Sequence, residues 1–436
     1  MLKRILCSIL CILMLSSIAC VKTPPVDIKP EITSEHTITT EPSQQSDDTD
    51  ISEDPENKDN TGTGSVSIIP ADLEQKTDFN EYVSTYLEEH GYKDKNYLVS
   101  ALSIRAALCL AILGAEGNTK TELLNAAGFE SEEEMINWYN KILKSVEDFN
   151  TAFENNTDYD CKYNILNSIW NNLDTAGEFS DMYKELVKNK LQSEIYAEHA
   201  DELTDKVNNW CDEKTNGLIP KISDDLSQCA AVLVNALYLK SNWIESFNKN
   251  LTKDDTFYGL NKESIMPFME KTDYFYSIIN DNFQIVVLPL LGDKQLFIVI
   301  GDCDLKEEIK NLERNRLHLK MPKFEQESSY NDEIKALLYD LGVNLAFDSM
   351  MADFSVMNKL SRWYIDEIIH KAKLKVYEEG LEAAAVTAIM VKNTAFSEDP
   401  IIELTITKPF KYYIFSSGLD VENQILLFNG QYIGEE

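Results

Sequence analysis

The composition of the chain changes near residue 70, and this change decides which part can build a core. Residues 21–70 are rich in Thr, Ser, Pro, Glu and Asp and contain no Phe, Tyr or Trp. A segment with so few apolar side chains cannot bury enough surface to offset the entropy that it loses on ordering. We therefore predict a disordered acidic stalk over residues 20–72 and a folded domain over residues 73–436.

The first residues have the parts of an export signal. Lys3 and Arg4 form a positive start, Ile5–Leu15 is an apolar segment, and small residues precede Cys20. Since the apolar segment is too short to cross a bilayer as a stable helix, we predict a signal peptide over residues 1–19. The residues before Cys20 also resemble the lipobox of bacterial lipoproteins. This resemblance implies a lipid anchor on Cys20 at the outer face of the bacterial cell membrane, with ordinary signal cleavage nearby as the alternative.

The charge of the chain excludes some classes of partner. The chain has 40 Lys and Arg residues against 74 Asp and Glu residues, and its net charge is −34. A protein that binds nucleic acid needs a dense basic face to displace counterions, so we expect no nucleic-acid partner. The same charge disfavours docking on an anionic membrane, which leaves the lipid anchor as the expected membrane contact. Hydrophobic residues, at 44%, suffice for a large core.

Cysteine and histidine residues give no sign of a disulfide framework or a metal site. Beyond Cys20 the chain has five cysteines, widely spaced and without a CxxC pair. No histidine stands in an HExxH motif, and neither a GxSxG motif nor a glycine-rich phosphate loop is present. We therefore expect no metal, no cofactor and no enzymatic activity. Cys109 lies in an apolar run, which predicts a buried thiol.

The hydrophobic patterns predict an α+β fold in which helices come first and strands dominate the second half. Helical spacing predicts helices at 78–89, 103–113, 119–127, 182–190 and 203–215. Ser103 is the expected N-cap of the second helix, and Gly114 is its expected end. Runs compatible with β-structure predict strands at 231–238, 283–290, 294–300, 317–321, 374–377, 401–407, 412–415 and 425–429.

The segment from Glu378 to Ser397 is compatible with either a short helix or a strand. Alternate residues from Leu381 to Val391 are all apolar or small, so one face of a strand could be buried in a sheet. The alanines after Leu381 would let such a strand enter between two existing strands with little steric resistance. Gly380 provides a permissive backbone at its base. From this segment alone, a surface helix or a loop is the alternative.

A series of short motifs follows one order from about Phe79 to Gly430. They are LVSALSIRAAL at 98–108, LGAEGNTKTEL at 113–123, VNNW at 207–210, TNGLI at 215–219, VNALYLKSNW at 234–243 with Phe247, MPKF at 321–324, ADFS at 352–355, HKA at 370–372, EEG at 378–380, KPF at 408–410 and FNG at 428–430. In composition and order these motifs resemble those of the serpin family. A departure is Ala101, which stands where the family has Pro.

The resemblance implies the serpin fold, with a helical N-terminal part, three β-sheets and an exposed reactive-centre loop. In this family a target protease cleaves the loop and becomes acyl-linked to it. The loop then inserts into the main sheet as a new strand and traps the enzyme. The chain itself would supply no catalytic residue. The expected partner is a serine protease, or a cysteine protease, and the expected state of the chain is a monomer.

The resemblance also assigns the hinge of the reactive loop. The implied hinge residues are Glu378, Glu379, Gly380, Leu381, Ala383, Ala384 and Ala385. Glu378 is expected to pair with Lys323 at the end of the sheet, as an exposed ion pair worth about 0–1 kcal/mol. Leu381 stands where inhibitors of the family usually have Thr or Ser. Its larger size predicts slower insertion, which would let the acyl-enzyme hydrolyse and turn the chain into a substrate.

The family spacing from Glu378 places the scissile bond between Thr394 and Ala395. Either residue would suit an elastase-like or subtilisin-like protease with a small to medium pocket. A shift in register would instead offer Lys392 to a trypsin-like enzyme or Phe396 to a chymotrypsin-like enzyme.

Three functions are compatible with the sequence. The first, which we favour, is an extracytoplasmic suicide inhibitor of proteases, supported by the alanine run. The second is a non-inhibitory serpin that acts as a cell-surface binding module, for which Leu381 is the only support. The third is an unrelated surface enzyme, for which the sequence shows no catalytic constellation.

Overall fold

The α-helices of the computed structural model lie mainly in the first part of the chain. The structure describes residues 78–156, 158–358, 363–381, 399–416 and 424–435, all within the unit Ile69–Glu436. Its α-helices are α1 (Phe79–Leu87), α2 (Ala101–Gly114), α3 (Gly117–Ala126), α4 (Glu132–Phe153), α5 (Asp181–Leu186), α6 (Ala200–Lys214), α7 (Leu305–Glu308) and α8 (Asp332–Asp340). Short π-helical or 3-10 turns lie at Glu88–Tyr92, Val187–Leu191, Lys249–Leu251, Ile309–Asn311 and Leu345–Phe347. The five predicted helices are confirmed to within a few residues.

Helix α2 begins earlier than predicted, and its N-cap is Ser100 rather than Ser103. The Oγ atom of Ser100 accepts a hydrogen bond of 3.2 Å from the backbone N–H of Ser103. A cap must stand outside the helix to reach an unpaired amide of the first turn, and Ser103 already lies within that turn. The helix ends at Gly114, as predicted, and all of its residues except Arg105 are buried.

Several elements of the structure were not predicted, and the 22-residue helix α4 and the strand β2 (Lys162–Asn172) are among the longest of them. A signal for α4 was present, because Met135, Tyr139 and Ile142 are buried at helical spacing. Ser131 also caps the helix by accepting a hydrogen bond of 3.1 Å from the backbone N–H of Glu134. Polar and apolar residues mix irregularly in β2, which hides its period.

The main sheet has six strands in the order β10-β11-β12-β4-β2-β3. They are β2, β3 (Glu194–Glu198), β4 (Ala231–Asn242), β10 (Phe324–Tyr330), β11 (Glu367–Tyr377) and β12 (Gly380–Leu381). Helix α6 covers one face of β2 and β4, with the rings of Trp170 and Trp210 packed edge to face at 6.3 Å. The opposite face of the main sheet contacts α2 and two clusters of buried apolar and aromatic side chains.

The other strands form two sheets that share the long strand β6 (Glu263–Ile279). The second sheet contains β5 (Lys253–Tyr258), residues 263–277 of β6, β9 (Glu313–Pro322) and β13 (Ile402–Thr405). The third sheet contains residues 276–279 of β6, β7 (Gln284–Leu290), β8 (Lys294–Ile300), β14 (Phe410–Ser416), β15 (Ile425–Tyr432) and β1 (Tyr97–Val99). The predicted α+β class with three sheets is therefore confirmed.

The five cysteines within the described ranges are unpaired thiols. Cys109 is fully buried in α2, which confirms the prediction for this residue, and burial raises the pKa of its thiol. Within these ranges, no helix combines the length and apolar character needed to cross a membrane.

Candidate functional site

The junction between β4 and β11 differs along its length. In one part, which we call the paired junction, Glu367–Lys371 of β11 pairs directly and in parallel with Val232–Ala236 of β4. Beyond this point the two strands separate, and β12 lies between them, antiparallel to both. We call this part the hinge junction. The main sheet is therefore closed at one end and already holds two residues of an additional strand at the other.

The chain enters the hinge junction by turning back immediately after β11. Gly380 lies opposite Tyr377 and Asn242, and Leu381 lies opposite Val376 and Ser241. The backbone of Gly380 has φ of +151°, and a Cβ atom there would clash with the carbonyl oxygen of Ser241. Only glycine fits this approach, which explains its position at the start of the inserted segment.

Leu381 is fully buried between β11 and β4. Its side chain belongs to the same hydrophobic cluster as Val376 and Leu374 of β11. The space needed for this larger side chain is therefore present in the structure. Its effect on the rate of insertion of the following residues stays a prediction.

The Glu378 carboxylate is held by two side chains. Its Oε2 atom lies 2.9 Å from Nζ of Lys323, and its Oε1 atom accepts a hydrogen bond of 2.7 Å from Thr252. Burial opposes ionisation, but the hydrogen bonds from Lys323 and Thr252 outweigh it and lower the pKa of Glu378. The expectation of an exposed pair was wrong, because the Glu378 side chain is only 5% exposed. Phe247 and Thr252 both donate hydrogen bonds to Glu378, so the segment that contains them lies against this residue.

The neighbouring residue, Glu379, forms a second ion pair at the hinge. Its carboxylate contacts the ammonium group of Lys249, and the Lys249 side chain is 56% exposed. The backbone carbonyl of Glu379 also accepts hydrogen bonds from the backbone N–H of Trp243, at 2.9 Å, and from the side-chain amide of Asn242, at 3.3 Å.

Trp243 and Phe247 hold the backbone of the hinge. The indole N–H of Trp243 donates to the carbonyl of Tyr377 at 2.8 Å, and the backbone N–H of Phe247 donates to the carbonyl of Glu378 at 2.8 Å. Both residues stand in the motif at 234–247, but no pattern in the sequence predicts that they lie at the hinge. These contacts span more than 130 positions and are made only in the folded chain.

The paired junction is held by a buried network of neutral groups. His370 of β11 accepts a hydrogen bond of 3.1 Å at Nε2 from the backbone N–H of Ser100. Its Nδ1–H then donates to Oδ1 of Asn235 at 2.6 Å, and the Asn235 amide donates to Oδ1 of Asn167 at 2.6 Å. Burial lowers the pKa of His370 to about 3, so the ring is neutral at physiological pH.

The segment after the predicted reactive loop is attached to the second sheet. The Tyr274 hydroxyl donates to the Asp399 carboxylate, and the Arg316 guanidinium donates to the Asp399 carbonyl at 3.3 Å. Strand β13 then pairs in parallel with β9. The predicted scissile bond Thr394–Ala395, the alanines Ala383, Ala384 and Ala385, and the predicted lipid site Cys20 all lie outside the described residues.

The site is a sheet that holds two residues of an additional strand between β4 and β11, and the comparisons with known proteins show the family to which the chain belongs. The model of the family described as "Serpin (serine protease inhibitor)" matches residues 76–434. The chain therefore belongs to the serpin family, whose members are generally protease inhibitors rather than proteases.

Relatives and solved structures extend over most of the chain. Among the relatives, intracellular coagulation inhibitor 2 of Tachypleus tridentatus is 29% identical over 369 residues, which cover 77% of this chain and 85% of the relative. The leukocyte elastase inhibitor of Xenopus tropicalis is 27% identical over 371 residues, which cover 77% and 92%. The thermophilic serpin tengpin in its native state has a TM-score of 0.67 at 23% identity and covers 83% of this chain and 96% of its own. This last likeness confirms the serpin fold.

Proposed function

We propose that the chain is an extracytoplasmic suicide inhibitor of serine proteases, with cysteine proteases as possible further targets. The observation that carries the proposal is the position of Gly380 and Leu381, which occupy the first two places of an additional strand between β4 and β11. Because Leu381 is already buried there, its size does not block entry of the loop into the sheet.

In the proposed reaction, the serine hydroxyl of a protease attacks the carbonyl of Thr394. The peptide bond to Ala395 breaks, Ala395 leaves as a free amine, and an ester joins Thr394 to the enzyme. The released loop then continues from Leu381 along the sheet and must separate Glu367–Lys371 from Val232–Ala236. New backbone hydrogen bonds and burial of the small face supply the driving force. The protease, displaced with the loop, cannot complete hydrolysis of the ester.

To test this proposal, the domain from about Leu73 onward is incubated with elastase-, subtilisin-, trypsin- and chymotrypsin-type proteases. We expect a covalent complex on denaturing gels and a released peptide that begins at Ala395 by mass spectrometry. A covalent complex together with a released peptide that begins at another residue would still show inhibition but would place the scissile bond elsewhere. Leu381→Arg is the control, because a buried charge at this position blocks insertion, and it should be cleaved without forming a complex.

Clean cleavage of the wild-type loop without a complex from any of these enzymes would contradict inhibition of them. A melting scan of the cleaved product then separates slow insertion, which still raises the melting temperature, from absent insertion, which leaves it unchanged. The second result would support a non-inhibitory binding module.

We also propose that the chain is exported and attached to the outer face of a bacterial membrane through lipid on Cys20, with residues 20–72 as a stalk. The support is the order of Lys3, Arg4, the apolar segment and the small residues before Cys20. In cells that express the full chain, we expect it in the membrane fraction with an N-terminal peptide heavier by its acyl groups. Cys20→Ser should abolish both observations, and an unmodified Cys20 peptide from the wild type would contradict lipidation.

A further inference from the structure

Residues that contact the segments before and after the predicted reactive loop also line a small pocket. Its volume is about 250 Å³, and it is open to solvent. The lining residues come from the Trp243–Phe247 segment and from strands β6, β7 and β9. This volume is just below the usual range for ligand sites in proteins, so it suits a ligand of one or two rings.

Seven of the eleven residues that line the pocket are aromatic or apolar, and the other four are the charged residues Glu245, Lys271, Asp273 and Arg314. Trp243, Phe247, Phe275, Leu288 and Pro289 contribute to its wall. Such a surface favours a flat, apolar ring, which can stack on the aromatic side chains.

The charged side chains of the pocket differ in how far they are already engaged. Lys271 donates to the carbonyl of Glu245 at 2.7 Å and lies 3.5 Å from the Asp273 carboxylate, so its charge is largely compensated. The Arg314 guanidinium lies 4.8 Å from the ring centre of Tyr274, and it has no carboxylate partner among the residues that the structure describes. In a chain with a net charge of −34, an arginine that lines an aromatic pocket and has no ion pair within the described ranges is a candidate binding group for an anion.

We infer that this pocket binds a small aromatic anion, with its ring against Trp243 and Phe247 and its carboxylate on Arg314. The planar guanidinium presents paired N–H donors that match a carboxylate. The ring would replace water on apolar surface, and the anion would neutralise the charge of Arg314, which lacks a carboxylate partner in the described part of the chain.

The pocket is connected to both ends of the loop. Trp243 and Phe247 hold the backbone of Tyr377–Glu379, and Tyr274 holds Asp399. A ligand that packs on these residues stabilises the conformation in which the hinge is clamped. We therefore expect it to slow loop insertion and to divert the reaction with a protease toward hydrolysis. This second part rests on the proposed function, whereas binding itself does not.

The experiment measures binding by titration calorimetry, without a protease. The ligands are 2-naphthoate and, as a neutral match of the same ring size, 2-naphthol. The proteins are the wild type, Arg314→Gln, and Arg316→Gln, which removes the same charge two residues along β9 and outside the pocket. We expect naphthoate to bind the wild type about tenfold or more tightly than naphthol. Arg314→Gln should remove this difference, and Arg316→Gln should keep it.

Three results would overturn the site. The wild type could bind the two ligands with equal affinity, the two variants could lose equal affinity for naphthoate, or naphthoate could fail to bind up to its solubility limit. Melting temperatures of the ligand-free variants show that each is folded. If naphthoate binds as expected but leaves the fraction of covalent complex unchanged, the link to the hinge is wrong and the site stands. If no protease forms a complex, the proposed function fails, but the calorimetric result still decides whether the pocket binds an aromatic anion.

Discussion

The paired junction and the hinge junction lie along the same two strands but are held by different forces. At the paired junction, neutral groups of His370, Asn235 and Ser100 form hydrogen bonds in a fully buried site. At the hinge junction, Glu378 and Glu379 are held by Lys323 and Lys249, which solvent reaches in part. Breaking a hydrogen bond between buried neutral groups leaves two unsatisfied groups, whereas an ion pair with one partly exposed partner is weakened by solvent and by salt. We therefore expect the sheet to open first at the hinge.

The sharpest test of this comparison is His370→Ala at the paired junction. The substitution removes the partners of the Ser100 N–H and of Asn235 Oδ1 and leaves a cavity. Together these losses should destabilise the protein by about 4 kcal/mol. The measurement is the denaturation midpoint in guanidinium chloride. His199→Ala, at an exposed histidine that pairs with Asp174, is the control and should leave the denaturation midpoint nearly unchanged. Equal effects of the two substitutions would show that the buried network does not hold the junction.

A smaller effect is expected for Lys323→Ala at the hinge. It leaves the buried Glu378 carboxylate with Thr252 as its remaining side-chain donor. Breaking a buried pair costs about 3–5 kcal/mol, but Lys323 is 25% exposed, so we expect about 2–3 kcal/mol. Hydrogen exchange should rise at residues 378–381 and not at the paired junction. Equal acceleration at both junctions would mean that they open as one unit.

Acid should weaken the paired junction through His370. Its pKa of about 3 in the folded chain is below the usual value of 6.5, so the unfolded chain binds the additional proton as the pH falls. The contribution of His370 to the free energy of unfolding is therefore fully present above about pH 6.5 and is lost as the pH falls toward 3. Between pH 7 and pH 5 this loss is about 2 kcal/mol. Denaturation curves of the wild type and His370→Gln at both pH values test this, because the variant should lack this part of the loss. An identical pH dependence in the two proteins would refute the assignment to His370.

The smallest effect is expected for Lys249→Ala. Its side chain is mostly exposed, and the Glu379 backbone keeps its hydrogen bonds to Trp243 and Asn242. We expect a loss of about 0–1 kcal/mol, which disappears in high salt. Measuring the stability lost in Lys249→Ala and in Lys323→Ala at low and high salt tests whether burial explains the difference in strength between the two ion pairs. A loss as large as that of Lys323→Ala would show that it does not.

Local patterns predicted elements where one period dominated. Helix α2, apolar almost all round, was predicted to within two residues at its start, and its cap was misplaced because two serines stand within one turn. Strand β2 was missed since it is buried along most of its length and so lacks a simple alternation. The pairing of Lys323 with Glu378 came from resemblance to the family, and its burial came only from the structure.

The sequence by itself determined the α+β class, the acidic segment without aromatic residues, and the small-residue face that follows Gly380. These properties depend on composition and on neighbours a few positions apart. The tertiary structure alone decided that Leu381 is buried, that Trp243 and Phe247 clamp the hinge, and that Arg314 lines a pocket. The physical reason is that burial and hydrogen bonding across more than 100 positions depend on the packing of whole strands, which no local pattern encodes.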